Sequence, residues 1–278
     1  MASRTRRGLK LSTAALAGLM LAGCGLGKTE EPPTATEPVT PSPTAEPSKG
    51  QAVLIGVRDG APVQLGDGDV KVSVLTLDGG GLERAKTPDG TAGFTFPQYM
   101  GTGAYPRAVI MVRNAGDDDA LNPGERAFTW GADFKVAAKS AGRTEDNGDN
   151  LIQRGLYSQS SEYKAELDLD RPACVVHGDE GLVTIRGDAV EPGTWYHMEC
   201  HRDGYELTVT SWPLDQPALK SSRSDYGPTG DVTPAHADVP LTIGGKITSN
   251  DTIYRSSTDQ FNGDVASPFL RIGREDTD

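Results

Sequence analysis

Glu166, Asp168 and Asp170 alternate with Leu167 and Leu169, the one stretch of this chain whose residue types and spacing could carry catalysis. In an extended strand successive side chains point to opposite faces, so the three acids share one face and the two leucines the other. Two carboxylates on one face suit glycoside hydrolysis, in which a retaining pair stands about 5–5.5 Å apart, one nucleophile and one acid/base. Two details weigh against it. Asp170 is one methylene shorter than a glutamate, and Arg171-Pro172 follows at once. A short carboxyl beside an arginine is held ionised rather than poised as an acid. Leucines in a core and acids in water account for the same alternation. Elsewhere the chain has no Ser-His-Asp arrangement, nucleotide loop or Gly-x-Ser-x-Gly elbow. No catalytic residue is assigned, and the expectation is a protein that is not an enzyme.

Other polar clusters are softer. Asp117-Asp118-Asp119 and the run from Glu145 to Asn150 are acidic loops of the kind that supply oxygen ligands to calcium. Neither follows the EF-hand pattern, and solvated turns explain them equally well, so no metal ligand is assigned. Tyr157, Tyr226 and Tyr254 lie in loop-like surroundings where an aromatic ring could face a sugar, but tyrosine is as often a strand-end residue with a wet hydroxyl. His236 reads as a surface residue. No ligand-binding residue follows from sequence.

The elements that must position these groups are strands. Phe128, Trp130, Ala132, Phe134 and Val136 face one way, and Thr129, Gly131, Asp133 and Lys135 the other. Tyr205, Leu207 and Val209 repeat the pattern. Arg107–Arg113 reads as a more fully buried strand, and Val70–Leu77, Leu182–Ile185, Leu241–Ile243 and Phe269–Ile272 are further candidates. Turn dipeptides fall between them: Asp59-Gly60, Asp89-Gly90, Asn147-Gly148, Asp203-Gly204 and Asn262-Gly263. With 34 glycines and no 3.6-residue periodicity, the chain beyond residue 50 is a single all-β domain, a sandwich or barrel. Residues beyond 50 carry 21 basic and 35 acidic side chains, a net charge of −14, which argues against nucleic acid as a partner.

The N-terminus is of another kind. Arg4, Arg6, Arg7 and Lys10 precede an uncharged run from Leu11 to Gly23, the layout of an exported precursor. Leu21-Ala22-Gly23-Cys24 resembles the bacterial lipobox, which implies a signal peptide over 1–23 and a lipidated Cys24. The expected location is the extracytoplasmic face of the cell membrane, held by lipid on Cys24. Residues 24–50, rich in Pro, Thr and Glu, cannot bury enough apolar surface to fold and read as a disordered, extended stalk. That compartment bears on Cys174 and Cys200. An oxidising location favours a disulfide between them, closing a loop worth roughly 3–4 kcal/mol. Zinc is the competing reading, with His177, His197 and His201 close in sequence.

Four stretches then point to a family. They are Leu121–Phe134; Asp149–Tyr157 leading through Tyr163-Lys164 to Arg171-Pro172-Ala173-Cys174; Pro192–Cys200; and Pro240–Lys246 followed by Asp259–Val265. Together, from about 93 to 273, they resemble an actinobacterial laminin G-like domain of the concanavalin A-like lectin/glucanase superfamily. The resemblance implies a jelly-roll sandwich of two antiparallel sheets over 51–278, with the cysteine pair tying neighbouring strands. Trp195 would be a buried anchor of the core strand that ends at Cys200, and Gly244-Gly245 a strand-end turn needing positive φ. Some laminin G domains hold one structural calcium, a possibility left open. Glu166-Leu167-Asp168-Leu169-Asp170 is also similar to the Glu-x-Asp-x-Glu signature of retaining glucanases on this fold, whereas the laminin G-like register gives that strand no catalytic role.

Such folds host sugar binding, adhesion and hydrolysis, so fold alone does not choose. The expectation is a membrane-anchored lipoprotein with a non-catalytic binding domain for carbohydrate, its partner a cell-surface or cell-wall glycan. A structural or adhesive domain with a surface protein as partner is the alternative, and a glucanase the third reading. The segment Val53 to Asp89 either adds edge strands or forms a separate flap.

Overall fold

The computed structural model describes residues 50–98, 100, 104–138, 149–159, 161–236, 238–255 and 259–273. The signal peptide, Cys24, nearly all of the stalk, most of the acidic run from Glu145, the Asn147-Gly148 turn and the Tyr157 side chain lie outside what is described.

Among the described residues there are sixteen strands: β1 (Gln51–Arg58), β2 (Ala61–Gln64), β3 (Val70–Leu77), β4 (Glu83–Lys86), β5 (Ala92–Thr95), β6 (Arg107–Asn114), β7 (Phe128–Val136), β8 (Asp149–Leu156), β9 (Ser161–Asp168), β10 (Arg171–His177), β11 (Leu182–Arg186), β12 (Tyr196–Asp203), β13 (Glu206–Pro213), β14 (Ser221–Tyr226), β15 (Leu241–Ile243) and β16 (Gly263–Ile272). Among the described residues two short 3-10 turns are the only helical pieces. The strands make two antiparallel sheets, the expected concanavalin A-like jelly-roll sandwich. One runs β14-β13-β12-β7-β16-β1-β2, with β4 and β5 joined at β16; the other runs β11-β10-β9-β8-β15-β6-β3.

The period-two pattern decides which residues meet between the sheets. Phe128, Trp130, Ala132, Phe134 and Val136 of β7 are all buried in the core, where they meet Tyr163, Ala165 and Leu167 of β9 from the opposite layer. Phe128 and Trp130 stack at 4.6 Å, and Tyr163 meets both edge-on while donating its hydroxyl to the Leu121 carbonyl at 2.9 Å. Rings of this size supply most of a core's apolar burial, and the tyrosine's polar tip is satisfied inside it.

Three expectations need correction. The cysteine pair does not tie neighbouring strands: Cys174 of β10 and Cys200 of β12 belong to opposite sheets, and their bond crosses the sandwich with the Cα atoms 5.7 Å apart. Packed sheets usually stand about 10 Å apart, so the two layers pinch together here. Trp195 is buried as expected, but it precedes β12 and packs against Ala85, Ala266 and Leu214 in a small cluster outside the main core. Tyr205 does not share a face with Leu207 and Val209, because it sits exposed in the β12–β13 turn.

Asp59-Gly60, with φ of 53° and 84°, closes the β1–β2 hairpin as expected. Asn262-Gly263 closes no hairpin, since both residues are buried and Gly263 opens β16. The segment from Val53 does add strands, and to both layers: β1 pairs with β16 in one sheet, and β3 runs along the whole of β6 in the other.

Candidate functional site

On β9 the core takes Tyr163, Ala165 and Leu167, so Glu162, Lys164 and Glu166 point to the outer face of the seven-stranded sheet. Register places Gln153 of β8 beside Lys164, and His177 of β10 beside Glu162. This outer face is not bare. The connection from β15 to β16 folds back over it as a small excursion in which Ile247 bridges Ile253 and the Thr248 amide bonds the Thr252 carbonyl at 2.8 Å. Ile247 and Ile253 bury themselves on Val109 and Met111 of β6.

Polar staples fix the excursion at its ends. The Gln260 amide donates to the carbonyls of Ala108 and Gly244 at 3.0 and 2.6 Å, and the buried Arg107 guanidinium donates to the Arg255 carbonyl at 3.1 Å. Arg113 holds Asp251 in an ion pair. The excursion begins at Gly244, whose φ is 84° and where an added Cβ would lie 2.0 Å from the Phe96 ring. Gly244→Ala should therefore cost about 2–4 kcal/mol, from left-handed backbone strain plus overpacking. Urea unfolding of the variant checks this, and a loss below 1 kcal/mol would show that Phe96 yields freely.

Between excursion and sheet lies a cleft with two lobes. The larger, about 310 Å³, is lined by Gln153, Glu162, Lys164, Lys246, Tyr254 and Asp259, together with Leu156 and Ser158. The second, about 160 Å³, shares Gln153, Leu156 and Lys246 and continues past Thr242, Thr248 and Asp251 to His236 and Asp238. The groups of the larger lobe alone lie up to about a hundred residues apart in the chain.

Charges in the larger lobe are paired in an orderly way. Lys164 meets Glu166 at 2.7 Å and Lys246 meets Asp259 at 2.6 Å. Lys246 also lies over the Tyr254 ring, 5.7 Å from its centre. Glu162 is only 3% exposed and accepts a 2.8 Å hydrogen bond from the Gln153 amide, which donates also to the Gly155 carbonyl at 2.9 Å. Burial pushes the Glu162 carboxyl up from 4.5 to about 7, outweighing the pull of Lys164. Burial likewise raises Glu166, against the opposing effect of Lys164. A carboxyl kept inside at such a cost, lining a cavity, is a candidate functional group.

The acids singled out by sequence do not form one face. Glu166 and Asp168 lie on β9, but Leu169 takes φ of 64° and stands 50% exposed in the hairpin turn, carrying Asp170 out of the strand. Nor is Glu166 on a wet face, since it is buried against Lys164. Asp168 pairs with Arg186, and Arg171 bonds the Gly187 carbonyl rather than Asp170. The zinc alternative is also set aside. Cys174 and Cys200 are joined, His197 pairs with Asp133 at 2.7 Å on the nine-stranded sheet, His201 meets Thr129 at 2.9 Å, and His177 lies on the other sheet. In the acidic loop, Asp119 spends one oxygen on Arg154 at 2.6 Å and the other on the Leu121 amide at 3.0 Å. Among the described residues no three of His, Cys, Asp and Glu gather as a metal set. Of the tyrosines, Tyr254 lines the cleft, whereas Tyr226 is exposed at the end of β14 and bonds Glu206. His236, exposed as expected, edges the second lobe.

Sequence reasoning missed Glu162, Gln153, Lys246 and Asp259. A signal existed for the first: Glu162, Lys164 and Glu166 recur at period two on a strand whose other face is apolar.

No protein-family model and no curated protein matches the sequence. Among solved structures the chain is similar to a botulinum neurotoxin type C structure, a toxin whose cell entry depends on interaction with two ganglioside molecules (10% identity, 81% of this chain and 48% of that one, TM-score 0.54). It is also similar to the binding domain of botulinum neurotoxin DC, solved in complex with rat synaptotagmin II (8% identity, 81% and 48%, TM-score 0.53). The LG1–3 region of the laminin α2 chain is a looser neighbour (12% identity, 77% and 33%, TM-score 0.40). The chain spans about half the length of the toxin chains it matches. At these identities the likeness establishes the jelly-roll fold and nothing finer.

Proposed function

We propose that this chain is a lipid-anchored extracytoplasmic protein whose jelly-roll domain binds carbohydrate, without catalysis, in the cleft under the β15–β16 excursion. The observation that carries the reading is the cleft's composition. A buried carboxyl, a carboxamide, two lysines held in ion pairs and the Tyr254 ring converge on one preformed cavity. Planar polar groups in fixed positions suit sugar hydroxyls, and an aromatic ring suits a sugar's apolar face. The gangliosides bound by the type C neurotoxin lend the class some support.

A glycan array probed with the purified chain tests this. Binding to a defined group of glycans is expected, weakened about fivefold or more by Tyr254→Ala, since losing a stacked ring and its ordered contacts removes about 1 kcal/mol or more. Silence on the array, with capture of a surface protein instead, would move the function to the adhesive alternative. No sugar should be released from any bound glycan. The anchor has its own test: Cys24→Ser should end incorporation of labelled fatty acid and release the protein from the membrane fraction. Labelling at the unaltered level would reject lipidation at Cys24.

A further inference from the structure

The larger lobe of the cleft is lined by two acids, Glu162 and Asp259, and two lysines, with a third acid, Glu166, behind Lys164, and the lysines are already committed. Lys164 lies 2.7 Å from Glu166, and Lys246 lies 2.6 Å from Asp259. Among the described residues no cation stands within ion-pair distance of Glu162, which has the Gln153 amide as its neutral hydrogen-bond donor. The groups that face it are Lys164 and Glu166 along β9, Gln153 on β8, His177 across on β10, and Lys246 and Asp259 from the excursion. Once Glu162 is ionised the cluster is one positive charge short, and the shortfall sits on a carboxyl that lines a cavity.

We infer that the glycan bound here carries a free amino group, whose ammonium completes the charge balance at Glu162. This rests on the carbohydrate reading and narrows it to unacetylated amino sugars. In the empty cleft burial holds the Glu162 proton to about pH 7, and an ammonium alongside would favour the ionised form. An N-acetyl group would supply neither charge nor the small head that fits against a carboxyl. The exposed acids elsewhere on this acidic domain attract a cationic oligomer only weakly in salt.

Calorimetric titration of the full chain at pH 7 and 150 mM salt with four probes decides the matter: the glucosamine tetramer, its N-acetylated tetramer, a glucose tetramer and a lysine tetrapeptide. The glucosamine tetramer should bind at least tenfold tighter than the other three. Glu162→Gln, which keeps the side chain's shape, should erase that preference while leaving the weaker neutral binding in place. Asp215→Asn, an exposed acid outside the cleft, should leave the preference intact. A preference that survives Glu162→Gln, or is lost in Asp215→Asn, would overturn the assignment. So would equal or tighter binding of the N-acetylated tetramer, or tighter binding of the lysine peptide. Binding of the sugar tetramers without amine preference removes this inference alone; no binding of any sugar removes the carbohydrate reading with it.

Discussion

Glu162→Gln should make the domain more stable than the unaltered protein at pH 8, and much less so at pH 5. Burial keeps this carboxyl protonated up to about pH 7 in the folded chain, against 4.5 as its ordinary value. A group whose folded pKa is raised adds stability that is fully present below the unfolded value and is lost as pH climbs through the folded one. Each pH unit inside that window changes stability by about 1.4 kcal/mol, so the advantage of the neutral glutamine should grow by ~3 kcal/mol between pH 4.5 and 7. Glu166, raised in the same direction, is present in both proteins and contributes to both curves. Urea unfolding at pH 5 and pH 8 measures the difference. Parallel stability curves would mean that Glu162 is solvated rather than buried. A residue that costs stability where the protein works is one whose retention calls for a function.

Removing the Cys174–Cys200 bond should lower stability by about 3–4 kcal/mol. The bond closes a loop of 26 residues, and the chain-entropy account gives that magnitude for a loop of this length. For a domain of this size each kcal/mol moves the melting temperature by about 2–4 °C, so the Cys174→Ala, Cys200→Ala protein should melt roughly 10 °C lower. Both sulfur atoms are fully buried, and two alanines there leave a small void that adds to the loss. Differential scanning calorimetry of the double variant is the check. A drop under 2 °C would mean that the pinch between the sheets holds without the covalent link.

Much of this was legible wherever a strand buries one face. The alternation of Phe128 to Val136 gives β7 its length and its inward face because five large or apolar side chains recur at period two. Val70–Leu77 and Leu241–Ile243 also come out at the observed bounds, although β3 has no fully buried residue and all three residues of β15 are buried. The β9–β10 turn was not legible. Its left-handed position is filled by Leu169, whereas hairpin turns of that geometry normally advertise themselves with Gly, Asn or Asp. Alternation was therefore carried one turn too far, and Asp170 was counted on a strand it had left. The cleft was hidden more deeply. Glu162 and Asp259 come together only because the β15–β16 connection doubles back onto a sheet formed by earlier strands, and nothing local in either segment records that approach. The disulfide partners were readable from the number of cysteines and the expected compartment, but not that the bond spans the sandwich, since sheet membership is a property of pairing.

The place of the last strand has a consequence for how the molecule comes into being. In the nine-stranded sheet β16 lies between β7 and β1, and Gln51, at the start of the domain, pairs with Ile272, at its end. A chain that emerges N-terminus first from a ribosome presents β1 and β7 with an empty slot between them until residues 263–272 appear. Such long-range closure is slow, because the loop entropy must be overcome before the pairing rewards it. Closure of the larger sheet is thus postponed until residues 263–272 are delivered, and a chain cut short before Gly263 has no way to seal it.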